Sequence, residues 1–329
     1  MGISSQVARA HIDDWEKELN KSAVRRYKAK WPKYLFRHEK LENAAKILIA
    51  GQLLSRDAAA NLIHDDIAPA SVITRRSEAH HFSRLYFRPK NPTQIHIEGI
   101  RQIGDLYSPN EIAAHAPVLI MLVFNAASVL TLEETCFSDG NMQHTKTIHE
   151  STDDFFGKIP FKDVYHDESF QPNERDRIIR ARCAEVLAQS PLNLSNHLAA
   201  ILCRSEAERK TLLHLVPTLT PSIKQKIRTI SEVGVFFNDF TYVKEVDVSS
   251  EGLSFLLNPR KDNKEVVLSI EILNLKSNLV IFNAKDKTIS PSKRWRITHP
   301  LAEGSYQVTI ELDGHLAYRA NSTITDLPF

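Results

Sequence analysis

One carboxylate in the chain is notable because apolar residues enclose it. Glu185 lies in the segment Ala184-Glu-Val-Leu187, which follows a highly charged stretch over residues 173–182. A glutamate in this setting has two common positions. It can lie on the solvated face of a half-buried strand, or on the wall of a cleft, where burial and a charged partner adjust it for chemistry. The segment alone leaves both interpretations open.

Generic catalytic motifs do not resolve this choice. The sequence contains no GxGxxG, GxxxxGK[ST], GxSxG or HExxH motif. Its ten glycines are few for a glycine-lined phosphate loop. The histidines at His80-His81 and at His144 and His149 have no cysteine or carboxylate at metal-ligand spacing. We therefore predict that the protein has no metal site.

A basic segment interleaved with aromatic residues occupies residues 20–40. It holds eight Lys or Arg against one acid, with Tyr27, Trp31 and Tyr34 among them. Such a segment can follow a phosphate backbone while its rings stack on bases. It can equally be a solvated helix face with two core aromatics. The nucleic-acid interpretation assigns phosphate contacts to Arg25, Arg26, Lys28 and Lys30.

Composition indicates an ordinary globular protein. Of its 329 residues 42% are hydrophobic and 25% charged, and the net charge is +2, so any nucleic-acid surface must be local. Three cysteines without a CxxC pair argue against a disulfide scaffold or a zinc ribbon and fit a reducing compartment. There is no signal-peptide pattern, and the longest apolar run, residues 116–124, is shorter than the roughly 20 residues a membrane helix needs. We expect a cytoplasmic protein.

Apolar periodicity places these residues on elements. It predicts a helix over 4–30, a strand over 34–38, and a helix over 41–50 that ends at Gly51 as its C-cap, with another helix beginning near Arg56. Later segments predict more strands, a helix capped by Ser205, and a long functional loop over about 137–173. The later strands are predicted over residues 84–87, 118–124, 184–187, 196–202 and 235–237.

The pattern changes near residue 240. Apolar residues alternate with polar ones over Val266–Ile272 and Tyr306–Leu312, and Asp313-Gly314 predicts a hairpin turn. Short strands without helical period are typical of a small immunoglobulin-like β-sandwich. The sequence therefore predicts an α+β protein in three parts. These are a basic amphipathic N-terminal helix over 1–32, a mixed domain over 33–240 and an all-β sandwich over 241–329.

Seven short segments in the mixed domain, taken in order, resemble the DarT family of toxins. These are NAD-dependent ADP-ribosyltransferases of single-stranded DNA. Each segment is weak alone, but together they cover about residues 34–237. The segments are Arg37-His38 with Leu41 and Ile47-Leu48; Gly51-x-Leu-Leu-Ser55; Arg75-Arg76; His80 to Pro92, against the family pattern HDY-x(3)-YF-x-PR-[SN]-P; Phe137-Ser-Asp-Gly-Asn141; Arg182-x-Ala-Glu-Val-Leu187; and Arg204-Ser-Glu-Ala207.

The resemblance implies a split β-sheet of ADP-ribosyltransferase type, NAD as substrate, and Glu185 as the catalytic glutamate. Cleavage of the nicotinamide–ribose bond passes through an oxocarbenium-like state. A carboxylate that binds the ribose 2′-hydroxyl and faces the positive ring stabilises that state more than the substrate. The family's arginine, which holds the diphosphate and helps activate the acceptor, corresponds to Arg75 or Arg76, and the sequence does not decide which.

The resemblance also implies a pocket for NAD and a site for the acceptor. His38 with Arg37 on the first strand would contact the ribose or adenosine, Gly51 would allow close approach, and Tyr86 would help form the nicotinamide pocket. The loop over about 133–184, including Asn141, would position the acceptor nucleotide.

The chain departs from the family pattern at a few positions, and other functions stay open. Arg37 replaces a small polar residue, His81-Phe82 replaces Asp-Tyr, and Lys90 replaces Arg. The nearest rival function is ADP-ribosylation of RNA or of a protein in phage defence. A rival of another class is an inactive nucleic-acid-binding or docking protein that recognises its partner through the β-sandwich. The family also implies a cognate antitoxin as partner, and the short apolar runs predict no membrane partner.

Overall fold

A mixed sheet of eight strands forms the centre of the larger part of the protein. The computed structural model describes residues 2–22, 25–60, 77–100, 116–230 and 234–325. The strands of this part are β1 (Tyr34–Lys40), β2 (Gln52–Leu53), β3 (Phe82–Tyr86), β4 (Leu119–Asn125), β5 (Cys136–Ser138), β6 (His149–Glu150), β7 (Glu185–Gln189), β8 (Leu192–Asn193), β9 (Leu198–Cys203) and β10 (Ile227–Thr229).

The eight strands lie in the order β10-β9-β4-β1-β3-β7-β5-β6, and β2 pairs with β8 in a separate small sheet. Every neighbouring pair is antiparallel except β9 and β10, which are parallel. The mixed α and β class is thus confirmed. The resemblance predicts a split sheet, and in the structure these eight strands form one hydrogen-bonded sheet. β4, buried along six of its seven residues, lies near the middle, as a continuous apolar run requires.

The N-terminal segment forms two helices rather than the single predicted one. Helix α1 (Ser5–Asn20) begins at the cap residue Ser4, whose hydroxyl accepts a hydrogen bond from the Val7 amide. It ends where the helical spacing of apolar residues ends. A 3₁₀ helix, Arg26–Lys33, follows and buries Trp31 in the core.

Helices α2 and α3 agree with the sequence, whereas helix α4 was not predicted. Helix α2 (Leu41–Ala50) ends at Gly51, which has the left-handed conformation expected of a C-cap glycine, with φ +68°. Helix α3 (Arg56–Ala59) follows the cap Ser55, and α4 (Pro92–Ile97) follows the cap Asn91.

The predicted long loop contains short regular elements. Helix α5 lies between β4 and β5, and helices α6, α7 and α8 follow β6. Their bounds are Ala126–Leu130 for α5, which precedes β5, and Asp153–Lys158, Phe161–Val164 and Arg175–Ala181 for the other three. Apolar side chains on this segment, including Phe156 and Phe161, join the main core. The weak apolar periodicity of this stretch therefore reflected short elements rather than an absence of packing.

Two predicted strands need correction. The one predicted over 196–202 begins at Leu198, because a short helix, α9 (Leu194–His197), precedes it. The one predicted over 235–237 is absent. The amides of Phe237 and Asn238 donate to the buried carboxylate of Glu98 instead of to a neighbouring strand. Helix α10 (Glu206–Leu215) is capped by Ser205 as predicted, and α11 (Pro221–Lys224) follows it.

The C-terminal part is all β, with two sheets around one apolar core. Its strands are β11 (Val243–Ser249), β12 (Gly252–Leu257), β13 (Val266–Asn274), β14 (Leu279–Ile289), β15 (Arg294–Thr298), β16 (Gly304–Leu312) and β17 (His315–Ile324). They form a three-stranded sheet, β11-β12-β15, and a four-stranded sheet, β14-β13-β16-β17. Side chains from both sheets belong to one buried cluster.

The alternating burial predicted along β13 and β16 is observed. Asp313 and Gly314, with φ +48° and +76°, form the hairpin turn between β16 and β17. The immunoglobulin-like connection pattern and the domain limits stay predictions.

Buried polar contacts join the two parts. The Arg204 guanidinium binds the Glu208 carboxylate and lies 4.3 Å from the centre of the Tyr242 ring. The Ser205 hydroxyl donates to the carbonyl of Val243, the first residue of β11, at 2.6 Å. The capped start of α10 therefore contacts the beginning of the all-β part.

Candidate active site

Three adjacent strands bring the predicted site residues onto one face of the sheet. In the antiparallel ladder Phe36 lies opposite Tyr86, and Tyr86 lies opposite Glu185. Directly opposed residues share a face, and so do residues two apart along a strand. His38, Arg84, Tyr86 and Glu185 therefore point to the same side. The rings of His38 and Tyr86 stack at 5.3 Å with 7° between their planes.

Glu185 is the most enclosed residue of this group. It is 0% exposed at the start of β7, and its amide donates to the Ser138 hydroxyl at 2.9 Å. Its carboxylate accepts a hydrogen bond from the Met142 amide at 3.1 Å. Arg84 donates to both oxygens, from Nε to Oε2 at 2.5 Å and from Nη2 to Oε1 at 2.7 Å. Of the two positions open from the sequence, the structure has the buried, partnered carboxylate.

Arg84 is a site residue that sequence reasoning missed. It was assigned only to a strand, although its sequence position carried a signal. An arginine two residues before Tyr86 on a strand must share the face of that tyrosine. Burial lowers the Arg84 pKa, but the Glu185 carboxylate outweighs this effect and raises it above the usual value. Arg84 is thus a permanent cation beside the carboxylate.

Arg37 and His38 occupy β1 as predicted and differ in charge. Arg37 Nε donates to the Glu39 carboxylate at 2.7 Å. Burial, followed by the nearby Arg37 charge, lowers the pKa of His38 to about 3, so its imidazole is neutral at physiological pH. His38 is 8% exposed, and its buried Nδ1 has no hydrogen-bond partner among the described residues. A buried polar atom of this kind is available to a ligand.

Tyr86 is a neutral phenol at the centre of the group. Burial and then the Glu185 charge raise its pKa to about 12. Tyr86 is on β3, which lies between β1 with His38 and β7 with Glu185, and its ring stacks on the imidazole of His38. The arrangement offers a flat aromatic surface next to a carboxylate.

Three guanidinium groups influence one another near this face. The pKa of Arg56 is lowered first by burial and then by the charges of Arg84 and Arg37. A local excess of arginine suits an anionic group such as a diphosphate, because guanidinium is always charged and presents several donors.

Gly51 ends helix α2 as predicted. A Cβ at this position would meet no protein atom within 4 Å, and close approach of NAD at Gly51 stays a prediction. Its positive φ is the reason for glycine here. Its carbonyl accepts a hydrogen bond from Leu194 at 3.0 Å, beside the β2–β8 pair.

The loop that contains Asn141 closes over Glu185. The Asn141 side chain accepts a hydrogen bond from the Gln143 amide at 2.9 Å, and the loop is anchored where Arg180 donates to Asp139 at 2.5 Å. Met142 is buried beside Leu187. Asn141 therefore forms a turn of this loop, and its contact with an acceptor nucleotide stays a prediction.

The basic segment is partly internal, which corrects the prediction of a continuous phosphate-binding strip. Lys28 is buried and its ammonium donates to Glu168 at 2.7 Å. Arg25 donates to the Asp167 carbonyl and lies 3.6 Å from the Glu168 carboxylate. Opposite charges later in the chain thus engage both side chains.

Arg26 and Lys30 are exposed, so the predicted nucleic-acid contact is compatible with these two. Two of the three aromatic residues of the segment, Tyr27 and Trp31, are engaged by other groups of the protein. The Tyr27 hydroxyl donates to the Asp167 carboxylate, and the buried Trp31 ring packs under Arg88.

Arg75 and Arg76 lie outside the described residues. Within the described ranges, no group of His, Cys, Asp and Glu side chains is arranged to hold a metal ion. In the same ranges, no helix combines the length and apolar character needed to cross a membrane.

The comparisons with known proteins agree with the sequence resemblance. The family model described as "ssDNA thymidine ADP-ribosyltransferase, DarT" matches residues 36–237. No curated protein matches the chain.

Solved structures of DarT proteins are also similar. Thermus sp. 2.9 DarT in complex with NAD+ is 14% identical with a TM-score of 0.45, and 60% of this chain covers 96% of that one. The same protein in complex with ADP-ribosylated ssDNA is 15% identical with a TM-score of 0.48, at 61% and 94% coverage. Thermosipho africanus DarTG in complex with ADP-ribose is 16% identical with a TM-score of 0.43, at 60% and 49% coverage.

Proposed function

Because the chain belongs to the DarT family of NAD-dependent ADP-ribosyltransferases that modify single-stranded DNA, we propose that Glu185 is the catalytic carboxylate of this reaction. We take thymidine, the acceptor that the family description prints, as the base that is modified. The observation that carries the assignment is the enclosure of Glu185 between Arg84, Tyr86 and the Met142 amide.

The hydrogen bonds of Glu185 leave one acceptor position of its carboxylate unfilled. A carboxylate accepts about four hydrogen bonds, two on each oxygen. Among the described residues, Oε1 already accepts from Arg84 and Met142, whereas Oε2 accepts only from Arg84. The open position on Oε2 would accept the 2′-hydroxyl of the nicotinamide ribose.

The reaction requires stabilisation of a positive sugar. The bond between ribose C1 and the nicotinamide nitrogen breaks, and its electron pair leaves with neutral nicotinamide. The ribose becomes oxocarbenium-like, and a negative carboxylate at its 2′-hydroxyl favours this state over the ground state. A ring nitrogen of the base then bonds to C1 and releases its proton to solvent.

The remaining residues divide between the two substrates. His38, neutral and with an unpartnered buried Nδ1, and Tyr86 beside it would form the wall against the nicotinamide riboside. Arg37 would supply positive charge near the diphosphate. Either Arg75 or Arg76 would hold the diphosphate and align the acceptor, as the family resemblance implies.

On the same resemblance we propose that the protein is a cytoplasmic toxin controlled by a cognate antitoxin in phage defence. The all-β part, with limits near residues 241 and 329, would be an immunoglobulin-like sandwich that docks a regulator or stabilises the enzyme. Its two sheets and common core support the sandwich.

Label transfer tests the role of Glu185. Purified protein is incubated with NAD labelled in its adenylate phosphate and with a thymidine-containing oligonucleotide. Glu185→Gln should lose transfer by at least about 100-fold, as expected for a group that acts mainly in the transition state, while binding of NAD measured by calorimetry is retained. Glu133→Gln, which changes an exposed glutamate near β5, is the matched control. Wild-type transfer by Glu185→Gln would refute the assignment.

A further inference from the structure

Arg84 is the cation that pairs with Glu185 among the described residues. Its guanidinium meets the carboxylate with two parallel contacts, Nε to Oε2 at 2.5 Å and Nη2 to Oε1 at 2.7 Å. Bidentate contacts of this kind fix the relative orientation of the two groups as well as pairing their charges. The family pattern quoted above leaves position 84 variable, so the resemblance assigns it no role.

The surroundings of Glu185 require a counter-ion. A carboxylate withdrawn from water is unstable in its charged form unless a cation or donors compensate it. The titratable groups that face Glu185 are Arg84 and Tyr86 from β3 and Cys183 from the turn before β7. Burial and then the Glu185 charge raise the pKa of both Tyr86 and Cys183 to about 12, so both are neutral at pH 7. The Met142 amide is the other donor, and it is uncharged.

Arg84 is itself held in a defined position. The Arg84 carbonyl accepts from Arg37 on β1 at 3.4 Å, and its side chain keeps 18% exposure. Arg37 and Arg56 are nearby cations on which the Arg84 charge acts. Repulsion from these two favours the orientation in which Arg84 turns toward the carboxylate. Among the described residues, Arg84 forms the one ion pair with Glu185.

We propose that Arg84 is a positioning residue that keeps Glu185 ionised and orients it with one acceptor position of Oε2 free. This inference rests on the proposed catalytic role of Glu185. It explains why a cation lies next to a carboxylate that must stabilise a positive sugar. Arg84 offsets part of the negative charge of Glu185, but it also supplies the charge and the two donors that a carboxylate withdrawn from water needs.

Two substitutions separate this role from direct binding of NAD. Arg84→Gln keeps hydrogen-bond donors and removes the charge, whereas Arg84→Lys keeps the charge without the two-armed contact. Arg209→Met, which removes a guanidinium from an exposed ion pair with Glu206, is the control. The kcat and the KM for NAD are measured from pH 6 to 9.5 with the DNA-labelling assay.

The proposal predicts a pH-dependent loss in Arg84→Gln. A buried carboxyl without a counter-ion can titrate as high as about pH 8–9, so kcat at pH 7.5 should fall about 30-fold and recover to within about threefold of wild type at pH 9.5. The KM for NAD should change by less than about threefold, because Arg84 does not bind the substrate. Arg84→Lys should restore most of kcat at pH 7.5, and Arg209→Met should match wild type throughout.

Other outcomes overturn the proposal. A raised KM with kcat and pH profile unchanged, in either variant, would make Arg84 a ligand of NAD. A loss in Arg84→Gln that does not depend on pH would show a structural role only. If Arg84→Gln does not fold, Arg84→Lys decides: a kcat within about threefold of wild type with an unchanged KM supports the proposal, and a raised KM with unchanged kcat overturns it.

A spectroscopic readout does not depend on catalysis. The ¹³C carboxyl signal of Glu185, assigned by its absence in Glu185→Gln, should report an ionised carboxylate in wild type at pH 7.5 and a protonated one in Arg84→Gln. An ionised signal in both would refute the proposal even if the enzyme labels DNA. The expected signals combined with no labelling by wild type would contradict the proposed function and leave the Arg84–Glu185 interaction established.

Discussion

The ion pair between Arg84 and Glu185 should give a large coupling in the free energy of unfolding. With charge centres roughly 4 Å apart and an effective dielectric constant near 20, their attraction is about 4 kcal/mol. Removal of one partner from a buried pair costs about 3–5 kcal/mol, because the other charge is left without compensation.

The two single substitutions should not cost the same. The Arg84 side chain is 18% exposed and the Glu185 side chain is 0% exposed, so an arginine left unpaired reaches water more easily than a carboxylate left unpaired. Glu185→Gln should therefore cost about 2–3 kcal/mol and Arg84→Met about 3–5 kcal/mol at pH 7.5. The double variant leaves neither charge and should cost only about 1–2 kcal/mol, well below the sum of the singles.

Urea unfolding followed by the fluorescence of Trp15 and Trp31 measures these values. The exposed pair Arg209–Glu206 supplies the control cycle, whose coupling should be below about 1 kcal/mol. Additivity of the Arg84 and Glu185 substitutions to within about 0.5 kcal/mol would refute the buried pair described above.

Three further predictions concern other parts of the structure. Lys30→Ala should weaken DNA binding and reduce its salt dependence, because Lys30 is exposed. Lys28→Ala should mainly lower stability, because the buried Lys28 ammonium holds the loop that contains Glu168. DNA binding at several salt concentrations and urea unfolding of both variants check this, and equal effects of the two variants on binding would contradict it. Burial lowers the pKa of His11 to about 3, so the stability that neutral His11 contributes is complete above pH 6.5 and is lost as the pH falls from 6.5 toward 3. At pH 5 the loss is about 2 kcal/mol. His11→Gln should therefore make the free energy of unfolding, measured with urea, depend less on pH, and an unchanged pH dependence would refute this. Gly99→Ala should cost more than about 2 kcal/mol, because Gly99 has φ +91° and a Cβ would lie 2.2 Å from the Cβ of Phe240; a thermal midpoint equal to wild type would contradict this.

The sequence predicted those elements well that depend only on residues a few positions apart. Alternating apolar residues located β13 and β16, and the glycine at 51 marked the end of a helix, because both features depend on a few neighbouring residues. Ser205 likewise marked the start of α10 through a contact three residues away.

Partners distant in sequence were not predictable. Lys28 belongs to a basic run, but its partner is Glu168, which no local pattern connects to it. The amides of Phe237 and Asn238 looked available for a strand until Glu98 was found to accept from them. In each case a buried charge decided the outcome.

The candidate site was also predictable only in part. Resemblance to a family led to Glu185, His38 and Tyr86, and the strand register then placed them on one face. Arg84 was missed because a variable position in a family pattern carries no role. Its spacing from Tyr86 places it on the same face, and its contact with Glu185 on the neighbouring strand reveals its importance.

The most direct measurement is the identity of the acceptor that receives label from NAD. Wild-type protein and Glu185→Gln are each incubated with labelled NAD and, separately, with single-stranded DNA, RNA and protein lysate, and modified nucleosides are identified by mass spectrometry. ADP-ribosyl thymidine formed on single-stranded DNA by wild type, and lost in Glu185→Gln, is the predicted result. Label found only on RNA or protein, or DNA labelled equally by both proteins, would contradict the account.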